Sequence, residues 1–205
     1  YTPDADYNGT DSFNYALTDG MGATLAATVN FNVVNVNDGP VAADDAFSGN
    51  EDTVIADNVL ANDSDPDGDT LSVVTPGTFD TAHGSVTIDA NGDFTYTPDA
   101  DYAGTDSFSY EVTDGLLTDS AEVTLTVASV NDAPTAVDES YTSNEHTVIA
   151  DNVLTNDSDP DGDTLSVVAD SFTTANGGTV TIDANGDFTY TPLENFNGTD
   201  SFTYT

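Results

Sequence analysis

Lysine and arginine are both absent from the 205-residue sequence, and its 38 aspartates and glutamates leave a formal charge of −38. No Lys or Arg salt bridge can form anywhere in the chain. Binding to a nucleic-acid backbone is excluded as a default, because that affinity comes from Lys and Arg displacing counterions. Cations are the partners such a chain attracts. Cysteine is also absent, so the disulfides that commonly brace small extracellular modules cannot form. A Lys-Asn isopeptide crosslink is impossible for want of lysine, which leaves metal as the candidate brace. No apolar run approaches the roughly 18 residues of a membrane helix, so no membrane insertion is expected of this segment. No basic-plus-apolar leader opens the chain; it starts without Met and stops in mid-pattern, as a window on a longer array would.

High charge alone would suggest disorder, but 37% of the residues are hydrophobic, with 9 Tyr and 10 Phe. These lie in alternating runs rather than diluted through polar tracts, which is the pattern of a folded chain. The same runs recur. "YTPDADYNGTDSF" at Tyr1 returns as "YTPDADYAGTDSF" at Tyr96 and "YTPLENFNGTDSF" at Tyr190, and "VNDGP" at Val36 returns as "VNDAP" at Val130. A period of about 94 residues is too long for a helical solenoid and close to an immunoglobulin-like sandwich. The expected fold class is all-β, with tandem Greek-key β-sandwich repeats. With the Asn-Asp-x-Pro segments as boundaries, residues 1–37 are the C-terminal part of one repeat, 38–131 a complete repeat, and 132–205 the N-terminal part of the next.

Within 38–131, period-2 alternation predicts strands near 43–48, 53–56, 71–75, 85–89, 93–97, 106–113 and 119–130. "VTIDANGDFTYTP" reads as a hairpin with a type I′ turn at Asn91-Gly92. Phe108, Tyr110 and Val112 alternate in one late strand, and Val123, Leu125 and Val127 in the other. Two antiparallel sheets facing each other would bury these sets. Val54, Ile55, Val59 and Leu60 read as a strand followed by a loop with apolar anchors.

The segment "NDSDPDGDTL" occurs at 62–71 and again, letter for letter, at 156–165. Its spacing matches the first half of a D-x-[DN]-x-[DN]-G calcium loop: Asp63, Asp65 and Asp67 before Gly68, and Asp157, Asp159 and Asp161 before Gly162. Alternate carboxylates in a tight loop turn hard oxygens onto one ion, and glycine allows the sharp bend. Asp69 and Asp163 would add a backbone carbonyl and leave their carboxylates to a second ion or to water. An EF-hand is excluded, because the position of its bidentate glutamate holds Val74 in one copy and Val168 in the other, and "TLSVV" reads as a strand. The missing carboxylate is assigned to Glu51 or Asp57, and to Glu145 or Asp151 in the second copy. Two carboxylates about 5 Å apart repel by on the order of 3 kcal/mol at an effective dielectric near 20, a large strain on a domain of this size. The alternative is an acidic turn splayed into water, where screening removes most of that cost.

The interdomain segments "NVNDGP" and "SVNDAP" resemble the cadherin linker "DxNDNxP", which makes Asn37, Asp38, Asn131 and Asp132 candidate interdomain ligands. The first Asp of that pattern is replaced by Asn35 and Ser129, and a Pro-ended extended turn explains the segments equally well. Asp89, Asn91 and Asp93 are read as turn residues. Asp11, Asp106 and Asp200 are read as turn caps. His83 aligns with Gly177 and His146 with Asp52, and no nucleophile-base constellation recurs, so an enzyme is not expected.

Taken together, "NEDTVIADNVLANDSDPDGDTLSVV", "GDFTYTPDADYAGTDSFSYEVTDG" and "VNDAP" resemble the bacterial immunoglobulin/cadherin-like tandem-95 repeats of large calcium-dependent surface adhesins. The resemblance covers essentially the whole chain. It implies an extracellular, surface or secreted array in which Ca2+ and neighbouring repeats stiffen a stalk or filament. Two alternatives stand beside it. One is a glycan or cell-surface binding module using Tyr7, Tyr102 and Phe196; the other is self-association, in which terminal strands complete the sandwich of another copy.

Overall fold

β-Branched and aromatic residues at every second position form strands and no helix. A computed structural model describes residues 1–205, which divide into two units, Tyr1–Ala128 and Ser129–Thr205. The first begins with a hairpin of β1 (Gly9–Thr18) and β2 (Thr24–Val33), which pair with each other alone. Two four-stranded sheets follow. One has the order β3-β10-β9-β5, from β3 (Asp45–Asn50), β5 (Ser72–Val73), β9 (Gly104–Thr113) and β10 (Thr118–Ala128). The other has the order β4-β8-β7-β6, from β4 (Ile55–Asn58), β6 (Gly77–Asp80), β7 (Gly84–Ile88) and β8 (Asp93–Pro98).

The inner faces of these sheets meet in one core. Val86, Ile88, Phe94 and Tyr96 come from one sheet, and Phe108, Tyr110, Val112, Val123, Leu125 and Val127 from the other. Phe94 is the pivot, with its ring centroid 5.0 Å from Phe47 and 5.6 Å from Phe108. Val59 is fully buried directly after β4 while Val54 is exposed, which bears out the reading of a short strand with an apolar-anchored loop.

Three features depart from expectation. β3 runs parallel to β10, with Phe47 opposite Leu125, so this sheet is mixed rather than antiparallel. The first and last strands of the repeat are joined through the whole domain, and no hairpin dictates their relative direction. β6 was not expected, because "GTFD" is too short and polar to show alternation; its pairing with β7, Phe79 opposite Val86, decides it. The β7-β8 turn is not type I′. Gly92 has φ +87 but Asn91 is not in the left-handed region, and the amides of Gly92 and Asp93 turn back on Asp89, the first to its carbonyl at 3.1 Å and the second to its side chain at 3.2 Å. A three-residue loop with glycine in the left-handed position costs less here than forcing asparagine to positive φ.

The second unit contains one four-stranded sheet of order β11-β14-β13-β12, built from β11 (Ile149–Asn152), β12 (Asp170–Thr173), β13 (Thr179–Ile182) and β14 (Asp187–Thr191). It repeats the β4-β8-β7-β6 sheet. Phe202 and Tyr204 pack onto its core of Val153, Val167, Ile182 and Phe188. Residues 198–205, the counterpart of the start of β9, form no strand, and the Val168 amide donates to the Thr205 carbonyl at 2.8 Å.

Candidate metal centre

The aspartate loop joins β4 to β5 and closes on itself through its own backbone. Asp65 Oδ1 accepts the amides of Asp67 at 2.8 Å and Asp69 at 3.2 Å, and the Gly68 amide donates to the Asp65 carbonyl at 3.1 Å. Gly68 turns the chain at φ +77, a conformation that costs glycine little. The second copy repeats this, with Asp159 Oδ1 accepting from Asp161 at 3.0 Å and Asp163 at 3.2 Å, and Gly162 at φ +74.

These backbone contacts alone do not mark a metal site. In the β7-β8 turn, Asp89 Oδ1 accepts from Asn91 at 2.8 Å and Asp93 at 3.2 Å in the same pattern, but there the middle residue is a neutral amide and Asp93 accepts a hydrogen bond from the Asn58 side chain at 2.7 Å. The loop at 63–69 differs in two ways. Carboxylate oxygens of Asp65, Asp67 and Asp69 lie within 4.8 Å of one another, so the Asp69 side chain joins the group rather than only its carbonyl. Asp65 Oδ2 is buried without a hydrogen-bond partner. A buried carboxylate oxygen lacking a donor is costly, and hard cations are among the partners that satisfy such an oxygen together with neighbouring carboxylates.

Asp63 faces elsewhere. Its Oδ1 accepts the Ala43 amide at 2.8 Å, and both oxygens lie 3.0–3.1 Å from the Tyr110 hydroxyl, which also reaches the Val59 carbonyl at 2.9 Å. Burial, together with the negative charges of Asp63, Asp44 and Asp57, pushes the Asp45 carboxyl up against the opposing hydrogen bond from Tyr110. One hydroxyl proton therefore serves several acceptors. In the second unit Tyr204 reaches Asp157 and Glu139, each at 3.1 Å, and the Val137 amide reaches Asp157 at 2.8 Å. The first aspartate of each loop thus clamps it to the core.

Of the other expected ligands, Asp57 is an exposed β4 residue bonded to the Asn58 amide. Asp151 repeats that contact with Asn152, and Glu145 is exposed. Glu51 is buried just past β3, and its amide donates to the Ala128 carbonyl at 2.9 Å. None of these four belongs to the Asp65–Asp67–Asp69 group. The linker does meet the loop: the Asp38 amide donates to Asp67 Oδ2 at 2.7 Å, and the Asp132 amide to Asp161 Oδ2 at 2.7 Å. The Asn37 and Asn131 side chains donate to the carbonyls of Asp38 and Asp132.

Asn37 also donates to Asp114 Oδ2 at 2.7 Å, while the amides of Leu116 and Leu117 hold Asp114 Oδ1. The Leu117 amide, the Asn37 side chain and the Leu116 amide keep that carboxyl below the usual carboxylate range. Asp114-Gly115 forms a turn, and its contact with the linker spans 77 residues and leaves no local signal in the sequence.

Asp106 corrects a further expectation. It is buried, at 6% exposure, and accepts from Thr81 Oγ1, the His83 amide, the Tyr96 hydroxyl and the Ser107 amide. Burial pushes its carboxyl up, but these donors together outweigh that and hold it below the usual range. It is a clasp between β9 and the β6-β7 connection rather than a turn cap. Asp200 repeats it with Thr174, Asn176, Tyr190 and Ser201. Tyr102 stacks on His83 at 4.2 Å and donates to the Thr105 carbonyl, which makes it an anchor of its own loop.

Comparison with known proteins follows the same lines. Residues 37–129 match the bacterial cadherin-like domain, and residues 1–32 and 131–205 match the bacterial Ig domain. No curated protein matches the chain. Among solved structures, human CDH23 EC21-23 is 17% identical with a TM-score of 0.55, covering 93% of this chain and 66% of that one. Extracellular cadherin domains 1–4 of protocadherin gamma B7 are 19% identical at 0.53, covering 94% and 51%. An endo-fucoidan hydrolase of glycoside hydrolase family 107 is 18% identical at 0.37; the chain spans 34% of its length. At these identities the likeness to the two cadherins establishes the fold alone. The match of more than half the sequence to the Ig-domain model, and of its central repeat to the cadherin-like one, identifies the chain as a member of the bacterial immunoglobulin/cadherin-like repeats.

Proposed function

We propose that this chain is a calcium-stabilised structural segment, a stalk or filament module, of an extracellular bacterial adhesin, with one complete repeat at 38–131 between parts of two others. The observation that carries the reading is the Asp65–Asp67–Asp69 group with its buried, unpartnered Asp65 oxygen, in a chain that has no Lys or Arg to neutralise it. The names of the cadherin neighbours, which include extracellular domains, support the location.

The mechanism is electrostatic and mechanical. Asp65, Asp67 and Asp69 hold Ca2+ in the first copy and Asp159, Asp161 and Asp163 in the second. The ion replaces carboxylate repulsion with attraction and stabilises the folded state by mass action. Because Asp67 and Asp161 are also held by linker amides, ion binding firms the start of each repeat. Extracellular calcium modules bind at roughly 0.1–1 mM, so the array is stiff in calcium-rich fluid and loose without it. No catalytic step is part of this reading.

The test is thermal unfolding of the chain and of Asp65→Asn, each in millimolar CaCl2 and in chelator. The chain should melt several degrees higher with calcium, and the variant should lose the part of that gain that belongs to the unit Tyr1–Ala128. Equal melting temperatures of the unaltered chain in both buffers would overturn the reading.

A further inference from the structure

Within the unit Tyr1–Ala128, the Asp65–Asp67–Asp69 group takes a hydrogen bond from outside its own loop. Asp65 Oδ1 accepts the loop amides of Asp67 and Asp69, whereas Asp67 Oδ2 accepts the Asp38 amide at 2.7 Å, from 29 residues upstream. The segment that carries this amide is fastened along the loop. Val41 and Ser64 exchange backbone hydrogen bonds of 2.7 and 3.1 Å, and the Ala43 amide reaches Asp63 Oδ1 at 2.8 Å. One residue before Asp38, the half-buried Asn37 uses its side-chain amide twice, on the Asp38 carbonyl at 3.1 Å and on Asp114 Oδ2 at 2.7 Å.

The β9-β10 turn presents Asp114 in a fixed pose. The amides of Leu116 and Leu117 hold its Oδ1 at 2.6 and 2.7 Å, which leaves Oδ2 for Asn37. The Thr113 hydroxyl braces the turn from below, donating to the Leu117 carbonyl at 2.8 Å and accepting the Gly115 amide at 2.9 Å. Leu117 also lies against Gly39, where a Cβ would come within 3.3 Å of its side chain. Turn and linker segment therefore fit at two points.

We propose that Asn37 and Asp114 are positioning residues for the metal site: the Asn37 side chain, held by Asp114, sets the Asp38 peptide so that its N–H fixes the Asp67 carboxylate for a divalent cation. This inference rests on the calcium reading of the loop and adds to it a determinant of affinity that touches no ion. Asparagine suits the position because its two N–H groups serve a carbonyl and a carboxylate at once. Aspartate would offer neither donor and would add a second charge beside Asp114. A carboxylate already oriented by its partners loses less rotamer freedom on ligating an ion, so those partners contribute to affinity from outside the coordination sphere. Coupling of this kind is reciprocal, and cation binding in turn tightens the Asp38 amide.

The test is a CaCl2 titration of the isotope-labelled full chain, followed by NMR at the amides of Gly68 and Gly162, which reads the two loops separately. Asn37→Ala should raise the calcium midpoint at Gly68 about tenfold, the low end for partners that orient metal ligands, and leave that at Gly162 unchanged. Asp114→Asn keeps an oxygen for Leu116 and Leu117 but turns a second donor on Asn37, and it should raise the Gly68 midpoint likewise. Glu111→Gln removes the same charge from an exposed position of β9 and should not. The double variant should bind no more weakly than Asn37→Ala alone, since the two residues act in series.

Hydrogen exchange of the Asp38 amide gives a readout besides affinity: calcium should slow it in the unaltered chain, and slow it less in Asn37→Ala. Four results overturn the proposal while leaving the calcium reading in place: an unchanged Gly68 midpoint in either single variant, additive losses in the double variant, an equal rise at Gly162, or an equal rise in Glu111→Gln. Absence of any calcium response at Gly68 in the unaltered chain overturns both.

Discussion

The Tyr96 hydroxyl donates to Asp106 Oδ2 at 2.9 Å, and in the next copy Tyr190 donates to Asp200 Oδ2 at 3.0 Å. In the first unit the pair joins β8 of one sheet to β9 of the other, so a charged hydrogen bond connects the two sheets beside their apolar packing; in the second unit it ties β14 to the segment 198–205. Burial and the Asp106 carboxylate together push the Tyr96 hydroxyl well above the usual phenol range, so it is a donor at neutral pH.

Asp106→Asn should destabilise the complete repeat by on the order of 3 kcal/mol at pH 7, since hydrogen bonds to a buried charge are the strong ones. The folded-state pKa of Asp106 lies below the unfolded-chain value of roughly 3.9. Its contribution is therefore complete above that value and is lost as pH falls through the folded pKa. Urea denaturation at pH 7 and near pH 3 should show the cost shrinking in acid.

Asp45 has the opposite sign. Its carboxyl is pushed up by burial and by Asp63, so ionising it at neutral pH works against folding, and stability is regained as pH falls through its raised value. Asp45→Asn should therefore stabilise the repeat at pH 7 by on the order of 1 kcal/mol. The gain over the unaltered chain should fade in acid, read by calorimetry at pH 7 and pH 4.

Calcium should act through mass action. At a free concentration about one hundred times the Kd, one site adds about 2.7 kcal/mol. Asp67→Asn should remove most of that gain. Asp63→Asn should instead lower stability with and without the ion, because Asp63 holds Ala43 and Tyr110. Titration calorimetry beside thermal melts separates the two roles.

Gly84 is required by packing rather than by backbone freedom. A Cβ there would lie 2.7 Å from the Tyr96 ring and closer still to the Thr97 carbonyl, and Gly178 stands in the same relation to Tyr190. Gly84→Ala should cost about 1–3 kcal/mol, as overpacking does, and should also shift the Tyr96 ring resonances in an NMR spectrum.

Much of this protein was legible in its sequence because the signals are local. Alternation sets which face of a strand is buried, so Phe108, Tyr110 and Val112 and their partners Val123, Leu125 and Val127 are core as read. The period of about 94 residues is visible in the sequence, and the absence of Lys, Arg and Cys excludes salt bridges to those cations and disulfides. The recurrence of "NDSDPDGDTL" located the acidic loop, but its spacing pointed to Asp63, Asp65 and Asp67, whereas the structure groups Asp65, Asp67 and Asp69 and turns Asp63 to Ala43 and Tyr110. Contacts that span the domain left no such trace. Whether Asp63 faces an ion or Tyr110, whether Asp106 caps a turn or clasps two sheets, and whether β3 runs parallel to β10 depend on which strands meet across the core. A carboxylate has one composition in every setting. Only the tertiary structure supplies the donors that distinguish Asp106, with four, from Asp65, whose inner oxygen has none.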